Sequence, residues 1–170
     1  MHDEPWEAVD WSAIPGPPTY RPEAVVAALR AMLSPKGTGW AAPATMMRSA
    51  AGNDHGGTIY PAGVAATAAM LEIIDVHPGD ARRAALAVLL DWWAFEPEPG
   101  YKEYLAENNL PVDLVLAIQG MILAASSMLE RVASDPRDAV AGRLAAELML
   151  CAHHGWGTIV HDGENRHRAG

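Results

Sequence analysis

Alanine-rich segments with the spacing of an α-helix recur along this chain, and five of them open on a proline, at positions 22, 61, 78, 111 and 136. Proline is well tolerated in the first turn of a helix, where its missing N–H would have no intrahelical partner in any case. Strands prefer β-branched and aromatic side chains, whereas this chain has a single phenylalanine. We therefore expect an all-α fold.

The apolar spacing predicts about six helices, which we expect to pack as antiparallel pairs. They cover approximately residues 22–33, 42–51, 60–77, 78–93, 111–134 and 136–155. In the fourth of them, Leu86, Leu89 and Trp93 belong to the apolar stripe, and we expect Arg82 and Arg83 to face solvent.

Two of the helix openings are alike. The stretches "HPGDARRAALAVLLDWW" from His77 and "DPRDAVAGRLAAELML" from Asp135 share a proline, an aspartate, an alanine and two leucines in register. With the segment 94–110 set aside, the spacing is roughly 45 residues, near that of HEAT and armadillo repeats. This predicts a short right-handed stack of that kind. The alternative is that any Pro–Asp helix opening produces such an alignment.

The chain is acidic, with a formal charge of −9 and a sequence pI of about 5.1. Nucleic-acid binding needs a basic stripe, so we expect no nucleic-acid partner. A basic protein is the more natural macromolecular partner. An exposed face rich in tryptophan would also suit a homodimer.

The compartment is expected to be the cytoplasm. The single cysteine, Cys151, allows no internal disulfide, and the acidic start "MHDEPWEAVDW" lacks the apolar core of a signal peptide. No apolar run approaches the ~20 residues that span a bilayer. We expect an irregular leader over 1–20, with Trp6 and Trp11 laid against the body, one helical domain over 21–157 and a polar tail over 158–170.

The stretch "GNDHGGTIYPAG", from Gly52 to Gly63, interrupts the helices. We expect four of its residues to shape the loop and cap the following helix, namely Asn53, Gly56, Gly57 and Thr58. Three others are candidate partner contacts: Asp54, His55 and Tyr60. The alternative is that the whole stretch is a polar turn.

The stretch from Asp91 to Asp113, which contains the loop 94–110, combines carboxylates with aromatic rings, as interfaces for basic proteins do. It supplies the remaining candidate partner contacts, which are Asp91, Trp92, Glu96, Glu98, Tyr101, Glu103 and Tyr104. If this loop and the 53–60 loop share one edge of the stack, Asp54 and His55 become neighbours of the Trp92–Trp93 pair. The alternative is that Trp93 and Phe95 are core residues and the acids are a solvated face.

Catalytic and metal-binding patterns are missing from the sequence. It contains no Gly-x-Ser-x-Gly, Walker A or Gly-x-Gly-x-x-Gly motif, and its seven histidines include no pair at the i, i+4 spacing. We expect no catalytic residue, no metal and no cofactor, and incline towards a protein that is not an enzyme.

The run "GNDHGGTIYPAG" followed by "ARRAALAVLLDWWAFEPEPG" resembles a group of small actinobacterial helical proteins described as HEAT-like. The resemblance covers roughly residues 40–150 and implies a helical fold without an established activity. Some small acidic helical proteins act as immunity proteins to toxins. Our leading hypothesis is a protein-binding module that neutralises a toxin or scaffolds an assembly. The alternative is a small-molecule hydrolase or sensor with Asp54 and His55 in its pocket.

Overall fold

A computed structural model describes residues 4–34, 39–105 and 110–157. Within these ranges the chain forms seven α-helices: α1 (Pro22–Leu33), α2 (Ala41–Ala51), α3 (Pro61–Val76), α4 (Asp80–Trp92), α5 (Leu114–Ala124), α6 (Ser126–Ala133) and α7 (Ala139–His154). It also forms five short strands: β1 (Gly52–Asn53), β2 (Thr58–Ile59), β3 (Glu96–Pro97), β4 (Glu103–Leu105) and β5 (Pro111–Asp113). A mostly helical protein is confirmed, but the strands were not predicted.

The helices pack as neighbours in sequence. Helix α1 lies on α2, α3 on α4, and α6 on α7, while α4 also contacts α2 and α7. Helix α4 is buried around most of its circumference, from Ala81 through Leu89 to Trp92, as expected for a helix at the centre of a core. These contacts establish the helix pairs but do not show a repeat stack.

The predicted helix over 111–134 is wrong in two respects. Residues 111–113 form strand β5, and the remainder is divided between α5 and α6, whose axes differ by 58°. The division falls at Ala125, whose φ of −87° and ψ of 7° leave the helical range. No proline or glycine marks this position, so the apolar period continues across a break that the periodicity alone could not reveal.

A small sheet in the order β1–β2–β3 joins two distant parts of the chain. Strands β1 and β2 pair antiparallel, and β2 pairs parallel with β3, with Thr58 opposite Glu96. The Glu96 N–H donates to the Gly57 carbonyl at 2.8 Å, and the Glu98 N–H donates to that of Ile59 at 3.0 Å. The loop after α2 and the segment after α4 therefore lie side by side.

The segment before α1 is laid against the helices, as predicted. Trp6 and Trp11 are buried, and the Trp11 indole N–H donates to the Trp6 carbonyl at 3.1 Å. The Tyr20 hydroxyl donates to the Trp11 carbonyl at 2.9 Å, and the Ala62 N–H donates to that of Pro15. The predicted polar tail, residues 158–170, lies outside the described residues.

Arg82 does not face solvent, contrary to the prediction. It is 9% exposed, and its guanidinium donates to the carbonyls of Ile74 at 2.7 Å and Asp75 at 3.2 Å, in the last turn of α3. The last carbonyls of a helix have no intrahelical partner, so a cation that reaches them satisfies them and the macrodipole together. Arg83, by contrast, keeps a partly exposed side chain.

Among the described residues, no single helix combines the length and the apolar content needed to cross a bilayer. The bent pair α5–α6 meets the criterion only when the two helices are taken together, on length and composition.

Candidate functional site

An ion-pair cluster lies where the sheet joins α2 to α4. Arg48, in the last turn of α2, has its Nε 3.2 Å from Oδ1 of Asp54, and its Nη1 donates to the carboxylate of Asp91. Its Nη2 donates to the Thr45 hydroxyl at 2.9 Å. Asp54 and Asp91, two predicted partner contacts from separate parts of the sequence, thus share one guanidinium.

Arg48 was not among the predicted site residues, although the sequence holds a signal for it. It is the only charged residue of α2, so its partner had to come from another element. The side chains of Arg48, Asp54 and Asp91 are 23%, 30% and 45% exposed. Because one cation faces two carboxylates, the cluster keeps a net negative charge at a partly hydrated position.

Changing Arg48 to glutamine is expected to lower the free energy of unfolding by about 1–2 kcal/mol. Charge-assisted hydrogen bonds contribute this much when partly buried, and exposure to solvent reduces the contribution of the ion pairs. Two neighbouring carboxylates would also lose the cation that screens their repulsion. Urea denaturation followed by circular dichroism measures the loss.

The matched control for this prediction is Arg143→Gln, which removes the same charge from the exposed face of α7. Equal destabilisation by the two variants would contradict the role assigned to Arg48. A cycle with Asp54→Asn isolates the Arg48–Asp54 coupling.

The loop between β1 and β2 is closed by its own residues. The Gly56 N–H donates to both the backbone carbonyl of Asn53, at 3.1 Å, and its side-chain oxygen, at 3.0 Å. Gly57 has a φ of +61°, which glycine adopts without strain. The predicted cap is wrong: Thr58 enters β2, and the N-cap of α3 is Tyr60, with no side-chain hydrogen bond. The side chain of His55 is exposed. Asn53, Gly56 and Gly57 shape the turn, which leaves His55 at its tip.

Tyr60, directly before α3, holds the segment that contains Glu98 and Tyr101. It is buried, and its hydroxyl donates to Oε2 of Glu98 at 3.0 Å. Its ring lies 5.7 Å from that of Tyr101 in a tilted arrangement. Burial is the main cause that raises the pKa of Tyr60; the Thr58 side chain partly offsets it, and the Glu98 carboxylate adds to it. Tyr60 is therefore buried and engaged within the protein, and its prediction as a partner contact is corrected.

The aromatic residues that follow belong to the core. Trp92 is 0% exposed, so its prediction as a partner contact is corrected, and Trp93 and Phe95 are buried as well. Trp93 and Trp156 form what we call the tryptophan clamp, with ring centroids 4.7 Å apart. The Trp93 indole donates to the Gly155 carbonyl at 3.0 Å, and the Trp156 indole donates to that of Phe95 at 2.7 Å.

Several carboxylates remain at the surface around these aromatic residues. We call them the acidic edge: Asp91, Glu96, Glu98, Glu103 and Asp113. Glu96, Glu103 and Asp113 are exposed, and Glu98 is half-buried. Strands β4 and β5 pair antiparallel and place Glu103 directly opposite Asp113. The side chain of Tyr104 lies outside the described residues.

A cleft of about 940 Å³ lies elsewhere, where the α3–α4 and α6–α7 junctions meet. Its lining includes Arg82, Arg83, Arg131 and Arg137, but not Asp54 or His55. The two alike helix openings are linked at this cleft by Arg83, which lies 3.0 Å from both Asp80 of α4 and Asp138 at the start of α7.

The other cations of the cleft are paired as well. Arg131 lies 3.0 Å from Asp75, and Arg137 lies 2.9 Å from Asp135. The hydrogen bonds from Arg137 lower the pKa of Asp135 to about 2, so this carboxylate stays charged at neutral pH. Each of these four guanidinium groups already has a carboxylate or carbonyl partner within the protein. We therefore interpret the cleft as a structural junction between helix pairs.

No group of three His, Cys, Asp or Glu side chains with the arrangement of a metal site occurs in the described part of the chain. Comparison with protein-family models, with curated proteins and with solved structures found no match.

Proposed function

We propose that this protein is a non-enzymatic helical module that binds a basic protein through the acidic edge. The observation that carries the proposal is the pairing of Glu103 with Asp113, two exposed carboxylates directly opposite each other on adjacent strands. Like charges in this position destabilise a strand pair. A cationic side chain of a partner, placed between them, would remove that repulsion.

Electrostatics at longer range support the same partner. The chain has a formal charge of −9, and Glu96 and Glu98 precede β4 in the same connection between α4 and α5. Such a surface speeds the encounter with a basic protein and repels acidic ones. Tyr60 and the tryptophan clamp hold the backbone behind the carboxylates, which reduces the ordering cost of binding.

The architecture we propose for this module is a short HEAT- or armadillo-like stack. The contacts of α4 with both α2 and α7 support it, because second helices of successive pairs are neighbours in such stacks. The resemblance to small actinobacterial HEAT-like proteins belongs to the same proposal. Neutralisation of a toxin, or scaffolding of an assembly, follows by analogy with other small acidic helical proteins.

The alternative, a small-molecule hydrolase or sensor built on Asp54 and His55, has less support. The Asp54 carboxylate is engaged by Arg48, and His55 stands exposed at the tip of its turn. A general base must lie within hydrogen-bond reach of the proton that it removes, and neither residue lines the cleft described above.

Reversing two charges of the acidic edge is expected to abolish capture of the partner. The variant Glu96→Lys/Glu103→Lys should recover at least tenfold less of the basic protein that wild type retains from its source cells at low salt. That loss corresponds to ~1.4 kcal/mol or more of binding free energy. Quantitative mass spectrometry of the captured proteins measures it, and wild-type recovery should fall steeply as salt is added.

The matched control is Glu23→Lys/Glu130→Lys, which changes the net charge equally at exposed positions on α1 and α6. Recovery by this control should match that of wild type. Equal recovery by the acidic-edge variant and wild type would refute the proposed function. Sensitivity to Asp54→Asn/His55→Ala alone, with indifference to the acidic edge, would favour the hydrolase or sensor.

A further inference from the structure

Helix α5 has an apolar face that the rest of the described chain does not cover. The helix contains no charged residue, and it buries Leu114, Ile118 and Ile122. On the other side Leu116 is 65% exposed and Leu123 is 36% exposed. Gly120 lies between them, at the four- and three-residue spacings that place side chains on one face of a helix. We call Leu116, Gly120 and Leu123 the α5 stripe.

The α5 stripe has the shape of a shallow notch. A Cβ atom built on Gly120 would meet nothing within 4 Å, so the surface above this residue is open. Two leucines flank the opening, and another element could approach the backbone closely there. Single exposed leucines are ordinary, but an apolar face on an uncharged helix is typical of a contact surface.

The α5 stripe is continuous with the acidic edge. Strand β5 leads directly into α5, and the Asp113 carboxylate caps the helix by accepting the Leu116 N–H at 2.8 Å. Leu110, just before β5, is 60% exposed. Glu103 lies opposite Asp113 on β4. The apolar stripe therefore begins beside two carboxylates.

Charge decides which occupant suits this surface. A second copy of the chain would bring another formal charge of −9 and another acidic hairpin, which disfavours self-association. An amphipathic helix with lysine or arginine at one end complements both the apolar notch and the carboxylates.

We infer that the partner docks an amphipathic helix of basic character on the α5 stripe. Its apolar side chains pack between Leu116 and Leu123 over Gly120, and its cations lie near Glu103 and Asp113. This inference rests on the proposed function and specifies which part of a basic partner is recognised.

The test uses a synthetic peptide of leucine and lysine, arranged with helical spacing over about four turns. Binding of the labelled peptide to the full chain is measured by fluorescence anisotropy. A peptide of the same composition in a non-amphipathic order controls for charge alone. We expect Leu116→Ser to weaken binding of the amphipathic peptide at least tenfold, and Met46→Ser to leave it within twofold. Met46 is 45% exposed on α2, so the two substitutions remove comparable exposed apolar surface.

The variant Gly120→Leu distinguishes binding that depends on the shape of the notch from non-specific binding to apolar surface. It fills the notch without a clash, because the space above Gly120 is open, and it adds apolar surface. Docking over Gly120 predicts weaker binding of the peptide. Non-specific apolar binding predicts stronger binding, which would overturn the inference, as would equal binding by wild type and Leu116→Ser.

The same assay distinguishes failure of the inference from failure of the proposed function. If Glu96→Lys/Glu103→Lys abolishes peptide binding while Leu116→Ser leaves it intact, the acidic edge binds and the α5 stripe does not. If neither variant changes binding, or if wild type does not bind the peptide, the inference fails, while the proposed function is decided separately by capture of the partner from source cells.

Two further measurements address other occupants of the α5 stripe. Sedimentation equilibrium that shows a dimer lost in Leu116→Ser would assign the surface to a second copy and overturn the inference. Flotation with phosphatidylcholine vesicles, again lost in Leu116→Ser, would assign it to a membrane and also overturn it. A folded, monomeric wild type that does not float, and that binds the amphipathic peptide through Leu116, supports the inference.

Discussion

Replacing Trp92 by alanine lowers the free energy of unfolding by about 3–5 kcal/mol, the usual cost of emptying a buried tryptophan site. Trp92 is the last residue of α4 and is 0% exposed. Its ring lies 3.8 Å from the position that a Cβ on Gly63 would take, so α3 packs closely against it. The side chain is too large for its neighbours to fill the space it leaves.

Urea denaturation, followed by circular dichroism, measures this loss, and Trp92→Phe is the matched control. The Trp92 indole N–H is buried and has no hydrogen-bond partner among the described residues. Phenylalanine therefore removes ring area without breaking a hydrogen bond, and should cost less than half as much as alanine. If Trp92→Ala left stability unchanged and weakened only partner capture, the burial assigned to Trp92 would be wrong.

Replacing Asp138 by alanine is expected to cost about 2–3 kcal/mol of unfolding free energy. Its carboxylate accepts the Ala141 N–H at 3.0 Å as the N-cap of α7, and it lies 3.0 Å from Arg83 of α4. Loss of such a cap costs ~0.5–2 kcal/mol, and the side chain is only 9% exposed, so its ion pair is poorly screened by water.

Two companion variants resolve these contributions. Asp138→Asn keeps a capping oxygen but loses the charge, so it should fall between wild type and Asp138→Ala. Asp80→Ala removes the matching aspartate of α4, whose side chain is 37% exposed and whose contact with Arg83 is local. It should cost less than 1 kcal/mol. Equal melting curves for Asp80→Ala and Asp138→Ala would show that Asp138 has no special role.

Most helix boundaries could be predicted because local chemistry sets them. The prolines at 22, 61, 78 and 136 mark helix openings, and α1, α2, α3, α4 and α7 begin and end within three residues of the predicted positions. The break between α5 and α6 could not be predicted, because Ala125 has good helix propensity and departs from helical geometry only through tertiary packing.

The sheet could not be predicted for a different reason. Strands of two residues are too short to show the alternation that identifies a strand. Their pairing depends on backbone hydrogen bonds such as that from Glu96 to Gly57, between residues far apart in sequence.

The candidate site was found in part. Asp54 and Asp91 were predicted from separate stretches, and the structure brings them together through Arg48, whose two carboxylate partners lie outside α2 and match no local spacing. Trp92 was misassigned because an aromatic residue beside acids suits an interface or a core equally well in sequence. Packing against α3 shows that Trp92 is a core residue and not an interface residue.

The tryptophan clamp has a consequence for the order of events during synthesis. Gly155 and Trp156 hold Trp93 and Phe95 through hydrogen bonds that span 62 and 61 residues. Ribosomes add about 5–20 residues per second, so roughly 3–12 s separate the appearance of Phe95 from that of Trp156. During that interval the segment after α4 has its contacts with Tyr60 and with β2, but it lacks the two hydrogen bonds of the tryptophan clamp. A nascent chain therefore completes the support of the proposed binding surface only after Trp156, which follows α7, has been added.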